Sequence, residues 1–395
     1  TVFVGRDFAG RATATLRSAV GGEATVSGFT FERPNGDHLE IPLVRRQKVV
    51  AGTYERHGLI EGEFTGFTPT STRQVYASRP LELDEWFDQR FFAASPRGVV
   101  PLRVGGSLAA GRFRAGIARP RGHVTVAEGT VAGGVFTLTG VGVLLDHVVA
   151  EGTLESRDVA IDRAASTTFT ATGALAGFDS GFSANDLRFD LALQQPNGRV
   201  AEIARDVGGA ITVNGTDVSF VLPALTGPLA GHAWLVALSA RASTSTTAEV
   251  QRSLLRFTAT AATSVPCLPL PTLTSPTDGA TVAGLGFAVD FALPTGSMYG
   301  TIDLRSDGTE QRLWTVVVPP TDTQFQFVEL PSQATSPLEA GRTYTLTLTA
   351  YRADAGFVFD RPESYRDVVT YWTTIGTAER GIRAIASRTV TITTN

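Results

Sequence analysis

The side chains best suited to catalysis are the five histidines, His38, His57, His123, His147 and His232. A hydrolytic enzyme needs a nucleophile, a base and a group that orients the base, all held together in space. None of the histidines belongs to a Gly-x-Ser-x-Gly, His-Glu-x-x-His or phosphate-loop motif. His38 and His57 follow turn sequences and are predicted to face solvent, whereas His147 and His232 lie in apolar stretches typical of core or edge strands. The sequence therefore predicts that the protein is not an enzyme.

The densest group of carboxylates consists of Glu82, Asp84, Glu85 and Asp88. Glycosidases use two carboxylates about 5–10 Å apart, which makes this group the natural place to look for such a pair. The same acids fall in the first half of a predicted helix, where negative charge complements the helix dipole. We expect that structural role and no catalytic pair.

Metal ligation has little support in the sequence. The pair His38 and Glu40 recurs later as Val200 and Glu202, so the histidine is not kept in the repeat. Cys267 is the only cysteine, which excludes an intramolecular disulfide and a cysteine-rich metal site. The segment "RSDGTE" (305–310) is predicted to be a plain turn. No cofactor is predicted, and only a structural calcium ion at such a turn is left open.

Aromatic side chains are the candidates for binding, because carbohydrate-binding sandwiches stack exposed rings on sugars. "HAWLVAL" (232–238) places Trp234 inside an alternating strand, which predicts a core position. "YRDVVTYWTT" (365–374) groups Tyr365, Tyr371 and Trp372. Adjacent strand residues face opposite sides, so Tyr371 and Trp372 cannot share one face of a strand. These three residues are the predicted ligand or partner surface, with one ring packed inside as the alternative.

The elements that must position these residues are mostly strands. Alternation of apolar and polar residues recurs in "LRFDLAL" (187–193), "FAVDFAL" (287–293) and "TLTLTA" (345–350), as half-buried strands require. Asn-Gly and Asp-Gly pairs supply the positive φ angles of tight hairpins between them. These turn signals are Asn35-Gly36, Asn197-Gly198, Asn214-Gly215, Asp278-Gly279 and Asp307-Gly308. The predicted fold class is all-β, built as tandem antiparallel β-sandwiches.

One segment has helical rather than strand periodicity. "SRPLELDEWFDQRFFAAS" (78–95) begins with Ser78 and an early proline, and it places Leu83, Phe87, Phe91 and Ala94 at helical spacing. We predict one short amphipathic helix near residues 80–93, packed on a sheet. The alternative is that its aromatic residues line a ligand groove.

Two segments repeat the same motif 162 residues apart. "RPNGDHLEI" (33–41) and "QPNGRVAEI" (195–203) share Pro-Asn-Gly, three variable residues and Glu-Ile. The variable positions share no charge or ligand type, which predicts one hairpin used twice rather than a duplicated site. The role of Glu40 and Glu202 is left open, with a nearby arginine as the expected partner.

The repeat and the proline distribution suggest the domain organisation. Residues 1–100 are predicted to form a β-sandwich unit with the helix, and residues 101–264 a Gly-rich β region with a second, related sandwich. "VPCLPLPTLTSP" (265–276) contains four prolines and is predicted to be a stiff linker. Residues 277–395 form the last predicted sandwich.

The segment "LEAGRTYTLTLTAY" (338–351) resembles the corner between strands E and F of fibronectin type III and related immunoglobulin-like modules. Leu338, Gly341 and Tyr344 fall on that pattern, and the resemblance implies that the tyrosine ties the corner to the backbone. It covers about residues 268–395 and implies a sandwich fold with many functions open to it. The long segment 352–381 departs from the pattern and predicts an extra hairpin or a modified edge. The N-terminal part only vaguely resembles sandwich modules of bacterial surface and phage virion proteins.

Charge and hydropathy exclude further classes. A net charge of −4 provides no basic stripe for nucleic acid, and no stretch reaches 18 consecutive apolar residues.

The Thr-rich, Lys-poor composition favours export to the surface of a bacterium or the extracellular space. The sequence thus predicts a non-catalytic structural, adhesive or assembly protein, whose partners are other protein subunits or surface glycans, with a homo-oligomer left open. The alternatives are a phage virion (tail or head-fibre) component and a carbohydrate-binding module protein. The role of Cys267 and the identity of the partner stay open.

Overall fold

A computed structural model describes nineteen stretches of the chain. They are residues 2–6, 12–16, 29–32, 38–41, 58–66, 68, 71–78, 81, 83–87, 112–117, 121–179, 186–209, 211–243, 247–263, 267–284, 287–306, 312–327, 338–353 and 382–395.

The secondary structure is almost entirely strand, which confirms the predicted all-β class. The strands before the helix are β1 (Val2–Arg6), β2 (Ala12–Leu16), β3 (Phe29–Glu32), β4 (His38–Ile41), β5 (Gly58–Thr65) and β6 (Thr72–Ser78), and the helix is α1 (Leu83–Phe87). The next strands are β7 (Arg112–Ile117), β8 (Arg121–Ala132), β9 (Val135–Val148), β10 (Leu154–Ser156), β11 (Val159–Ala160), β12 (Arg163–Ala164), β13 (Thr167–Thr172), β14 (Leu187–Gln194), β15 (Val200–Val207), β16 (Ile211–Asn214) and β17 (Asp217–Leu222). After a 3-10 turn at Gly227–Leu229 follow β18 (Ala233–Ser243), β19 (Ala248–Phe257), β20 (Ala261–Thr263), β21 (Thr272–Ser275), β22 (Ala280–Val282), β23 (Ala288–Ala292), β24 (Tyr299–Ser306), β25 (Arg312–Val318), β26 (Gln324–Gln326), β27 (Thr343–Ala353) and β28 (Ile382–Thr394).

The chain divides into two compact units. The first unit comprises Thr1–Gln47, Arg241–Gln251 and Leu268–Asn395, and the second comprises Lys48–Ala240 and Arg252–Cys267. The domain boundaries expected from the sequence stay predictions. The end of the proline-rich segment is not merely a linker, because β21 lies within it and pairs antiparallel with β23.

The C-terminal part of the first unit is a sandwich of two sheets. One sheet has the order β21-β23-β26, and the other is the part β25-β24-β27-β28 at the end of a longer sheet, with β22 added in parallel to β28. Alternate residues of both sheets point inward, as two packed antiparallel sheets require. The resulting core contains Val289, Phe291, Ile302, Leu304, Phe327, Leu346, Leu348, Val390 and Ile392.

The corner that precedes β27 has the geometry expected from the sequence. Tyr344 is buried, and its hydroxyl oxygen accepts a hydrogen bond from the backbone N–H of Glu339 at 2.6 Å. Leu338 is buried in the core beside it, and Gly341 has a φ of 72°, a conformation that favours glycine. The predicted tie between the tyrosine and the backbone upstream is therefore present, as in immunoglobulin-like sandwiches.

The first unit also contains a four-stranded sheet near the N-terminus, in the order β2-β1-β3-β4. In this sheet β3 and β4 form a hairpin with Glu32 paired to His38. In the second unit β14 and β15 form a hairpin with Gln194 paired to Val200, at equivalent positions 162 residues later. Both copies of the repeated motif are therefore hairpins with the same register, although the first turn (33–37) lies outside the described residues.

The described residues of the second unit include two large hydrophobic clusters. One cluster fills the space between the sheet containing β14 and β18 and the sheet β16-β17-β13-β20, and it includes Phe189, Phe220, Trp234 and Phe257. The other lies between β6, β8 and β9 and the strands β5 and β11, and it includes Ile60, Phe64, Val75, Val124 and Val126. The buried Trp234 donates a hydrogen bond to the carbonyl oxygen of Pro223 at 2.8 Å, which agrees with its predicted core position.

The predicted helix is shorter than its sequence pattern within the described residues. It begins at Leu83 rather than near residue 80, because Ser78 ends β6 and Leu81 bridges to Val200. Residues 88–93 of the prediction lie outside the described part. Trp86 and Phe87 are buried, and α1 packs against β15. These two aromatic residues therefore support the helix-on-sheet interpretation rather than a ligand groove.

Candidate functional site: a buried polar layer in the second unit

The predicted ligand surface cannot be placed, because Tyr365, Tyr371 and Trp372 lie outside the described residues. The extra hairpin expected within 352–381 cannot be placed either, because all of that segment after Ala353 lies outside the described residues, and so does His57. Of the acidic group near the helix, Asp84 and Glu85 lie on α1, and Glu82 and Asp88 lie outside the described part.

The notable polar cluster of the second unit was not predicted from the sequence. It lies on the face of β6 and β8 opposite to Val75, Val124 and Val126, because successive strand residues point to opposite sides. We call this cluster the polar layer. It consists of Gln74, Tyr76, His123, Thr125 and Asp146 on one side and Gln195, Glu202 and Arg205 of the β14–β15 hairpin on the other.

The β14–β15 hairpin lies against β6 and β8 by side-chain contacts instead of a strand ladder. β15 pairs with β9 only at Val207 and Phe136. The Gln74 amide then acts as a strand neighbour, because its Nε2 donates to the Arg205 carbonyl and its Oε1 accepts from the Arg205 N–H, both at 2.9 Å. The Thr125 hydroxyl donates to the Glu202 carbonyl at 2.5 Å. Polar side chains thus satisfy backbone groups that the diverging strand leaves without a partner.

Glu202 and Arg205 form the central ion pair of the polar layer. The carboxylate of Glu202 is 2% exposed and accepts from both Nε and Nη2 of Arg205, the latter at 2.9 Å. Burial by itself lowers the pKa of Arg205, but the hydrogen bond and charge of Glu202 outweigh this effect and raise the pKa. The guanidinium also lies 5.9 Å from the ring centre of Tyr76. The expected arginine partner of Glu202 is therefore present.

A second buried ion pair links the same hairpin to β19. Arg252 donates from Nη2 to Oδ2 of Asp190 at 2.9 Å, and Oδ1 of Asp190 accepts from the backbone N–H of Asp206 at 2.9 Å. The guanidinium of Arg252 lies 5.1 Å from the ring centre of Phe87 on α1. This pair therefore joins β14, β15, β19 and α1.

His123 is the one buried histidine of the polar layer. His123 is 1% exposed, and its Nδ1 accepts a hydrogen bond from the backbone N–H of Asp146 at 3.0 Å. Because Nδ1 accepts, the neutral ring carries its proton on Nε2. Nε2 has no hydrogen-bond partner among the described residues. A catalytic histidine needs the opposite arrangement, with Nδ1–H donating to a carboxylate and Nε2 free to take a proton.

The remaining histidines have ordinary roles where they are described. Nε2 of His147 lies 2.8 Å from Oε2 of Glu155, and this hydrogen bond is the largest cause of the lowered pKa of Glu155. His232 precedes β18 rather than lying in it, with Nδ1 at 3.3 Å from the Ala230 carbonyl. In the part of the chain that the structure describes, no three His, Cys, Asp or Glu side chains are grouped to hold a metal ion.

The sequence contains one signal for the polar layer. In β8 the order His-Val-Thr-Val (123–126) alternates polar and β-branched apolar residues, which marks two different faces. The face with His123 and Thr125 is covered by the β14–β15 hairpin, and the face with Val124 and Val126 packs in the cluster with β5 and β11. What the arrangement can do chemically is to fasten strands, because the side chains of Gln74 and Thr125 bond to the backbone of β15 and Gln195 bonds to Asp146 on β9.

Comparisons with known proteins do not extend this description. No family model matches the chain, and no curated protein matches it. The similar solved structures include the FN1–FN3 domains of chicken CNTN1, at 9% identity over 72% of this chain and 85% of that one, with a TM-score of 0.16. They also include the RrgB pilus protein of Streptococcus pneumoniae, at 11% identity over 77% of this chain and 64% of that one, with a TM-score of 0.13.

The fold and the polar layer define a mostly antiparallel β protein of two compact units, one of which contains a sandwich of two β-sheets. No described helix has the length and apolar character needed to cross a membrane.

Proposed function

We propose that this protein is a non-catalytic, exported component of a bacterial cell surface, with a structural, adhesive or assembly role. The observation that carries the proposal is that buried charged side chains of the second unit form ion pairs with each other. The ion pair Asp190–Arg252 joins β14 to β19, and the ion pair Glu202–Arg205 lies within β15, so these charged side chains are used inside the second unit. Such internal pairing stabilises a scaffold, whereas a catalytic site needs charged groups that reach a substrate.

We also propose that residues 268–395 are related to fibronectin type III and immunoglobulin-like modules. The support is the order of the two sheets together with the bond between Glu339 N–H and the Tyr344 hydroxyl. Such modules commonly serve as spacers and binding surfaces, which is compatible with the proposed role.

Location in the native organism tests the proposed function most directly. Antibodies against the purified protein should label intact cells by immunogold electron microscopy, and the protein should fractionate with the envelope or medium. Label confined to the cytosol would overturn the proposal. Label on released phage particles would support the virion alternative instead.

The partner surface is proposed at Tyr365, Tyr371 and Trp372, from their sequence grouping alone. A Tyr371→Ala/Trp372→Ala double variant should fold normally but lose binding on a glycan array or to other subunits of the same surface. A Val131→Ser variant is the matched control, because Val131 is 51% exposed on the β8–β9 hairpin and should not affect binding. Binding that survives the double substitution would remove this surface, and hydrolysis of any glycan would contradict the non-catalytic role.

A further inference from the structure

A chain of hydrogen bonds joins the β8–β9 hairpin to the turn of the β14–β15 hairpin. His123 Nδ1 accepts from the N–H of Asp146, and Oδ2 of Asp146 accepts from Nε2 of Gln195 at 2.6 Å. Gln195 in turn begins the repeated Pro-Asn-Gly turn, where its N–H donates to the Arg199 carbonyl at 2.8 Å. One imidazole therefore lies at the start of the contacts that hold this turn in place.

The bulge that presents Asp146 to His123 is strained. The register of β8 and β9 shifts between Gly122 and Val124, and Asp146 has a φ of 49°, which non-glycine residues adopt at a cost. Such a conformation persists only where surrounding contacts hold it. The hydrogen bonds to His123 and from Gln195 are the contacts of Asp146 that do so.

We propose that His123 is an acid-sensitive latch, which holds the β14–β15 turn against the β8–β9 bulge while it is neutral and releases it when it is protonated. The geometry provides the reason. A protonated ring donates from both nitrogens, so Nδ1–H would face the Asp146 N–H and the hydrogen bond would be lost. The imidazolium charge would also be buried in a residue that is 1% exposed.

The charged and titratable groups that share the polar layer with His123 lie on three neighbouring elements, and Asp146 is the one whose charge acts on the ring. β9 contributes Asp146, β15 contributes Glu202 and Arg205, which pair with each other, and β6 contributes the Tyr76 phenol. On β8 itself Arg121 is exposed. Burial lowers the pKa of His123 to about 4, and the charge of Asp146 opposes this effect without cancelling it.

The pH dependence follows from two forms of the latch. In the closed form the β14–β15 turn is held and His123 is buried, and in the open form the turn is released. In the open form the ring has its ordinary pKa of about 6.5, whereas in the closed form the pKa is about 4. Above pH 6.5 both forms are neutral and the latch is fully stabilising. Between these values only the open form binds a proton, so the opening equilibrium constant rises about tenfold for each pH unit of acidification. Below pH 4 both forms are protonated and this contribution to stability is gone.

Hydrogen exchange of the whole protein, corrected for the intrinsic exchange rate, tests the latch. Opening of the β14–β15 hairpin in the wild type should rise about fifteenfold between pH 6.5, where half of the open form is already protonated, and pH 5. His123→Gln keeps an acceptor for the Asp146 N–H but does not titrate. The β14–β15 hairpin of this variant should therefore open to the same extent at pH 6.5 and at pH 5. His147→Gln is the control, since His147 bonds to Glu155 outside the polar layer, and it should retain the wild-type profile.

Equal profiles for wild type and His123→Gln would overturn the proposal. If the variant does not fold, NMR of the His123 ring in the wild type provides a second test. A neutral ring with its proton on Nε2 that persists below pH 5.5, and whose protonation coincides with loss of hairpin protection, supports the latch. Titration of His123 near pH 6.5 with the hairpin still protected overturns it. This inference does not depend on the proposed function.

Discussion

Glu202 shows how a buried charge is made tolerable at the scale of one residue. The carboxylate is 2% exposed, and both of its oxygens accept from the guanidinium of Arg205. Removing one partner of a buried pair leaves the other charge uncompensated, which costs far more than the pair itself contributes. Replacing both partners by uncharged residues removes that penalty.

We predict that Glu202→Gln lowers the free energy of unfolding by about 3 kcal/mol, whereas Glu202→Gln/Arg205→Met recovers most of this loss. Chemical denaturation measures both values. The matched control is Glu339→Gln, because Glu339 and Arg342 are also three residues apart but 66% and 64% exposed. Breaking that surface pair should cost less than about 1 kcal/mol. Equal losses at the two pairs would show that burial does not govern the Glu202 pair.

At the scale of elements, the sheet that contains β8 and β9 is covered on both faces, so its backbone approaches other strands closely. Gly142 on β9 illustrates the point, since an added Cβ would lie 2.5 Å from the Ala160 carbonyl oxygen and 2.9 Å from a Val126 methyl. At Gly140, on the same face of the same strand, the nearest atom would be an Ile161 methyl at 3.2 Å. A backbone oxygen moves less readily than the end of a side chain.

Gly142→Ala should therefore destabilise the second unit by about 1–3 kcal/mol, as overpacked positions do. Gly140→Ala, the matched control, should change stability by less than half as much because Ile161 can adjust. Thermal unfolding followed by circular dichroism compares the two variants. Similar effects at both positions would mean that β11 does not approach β9 as closely as described.

At the scale of the whole molecule, the C-terminal sandwich has a core of its own. Every member of that core, from Val282 to Ile392, belongs to residues 268–395. The corner bond between Glu339 and Tyr344 also lies within this range. A sandwich with a continuous core and its own corner has the features of an independently folding domain.

We predict that a fragment of residues 268–395 unfolds cooperatively in chemical denaturation and has the circular dichroism spectrum of a β protein. Tyr344→Phe in the same fragment should lower its stability by about 1 kcal/mol, because the buried Tyr344 side chain loses its hydrogen bond with the Glu339 N–H. A fragment without a cooperative transition would show that Thr1–Gln47 and Arg241–Gln251, the rest of the first unit, are needed for folding.

The features that the sequence determined by itself are local. Alternation identified β14, β23 and β27, and Asn197-Gly198 and Asp278-Gly279 marked turns whose glycines have φ values of 84° and 75°. The corner at Leu338, Gly341 and Tyr344 followed from a spacing of a few residues. Such features depend on backbone conformation and on neighbours close in the chain, so their residue types report them directly.

Only the tertiary structure decided what lies on the second face of β6 and β8. His123 meets Asp146 and Asp146 meets Gln195 across separations of 23 and 49 residues, and Gln74 meets Arg205 across 131. The alternating pattern shows that a strand has a polar face. It does not show whether water or a covering hairpin supplies the hydrogen-bond partners of that face, because either can do so. Burial by a distant hairpin is what turns these ordinary polar residues into paired charges and a neutral histidine, because the cost of a buried charge depends on the layer that removes the water.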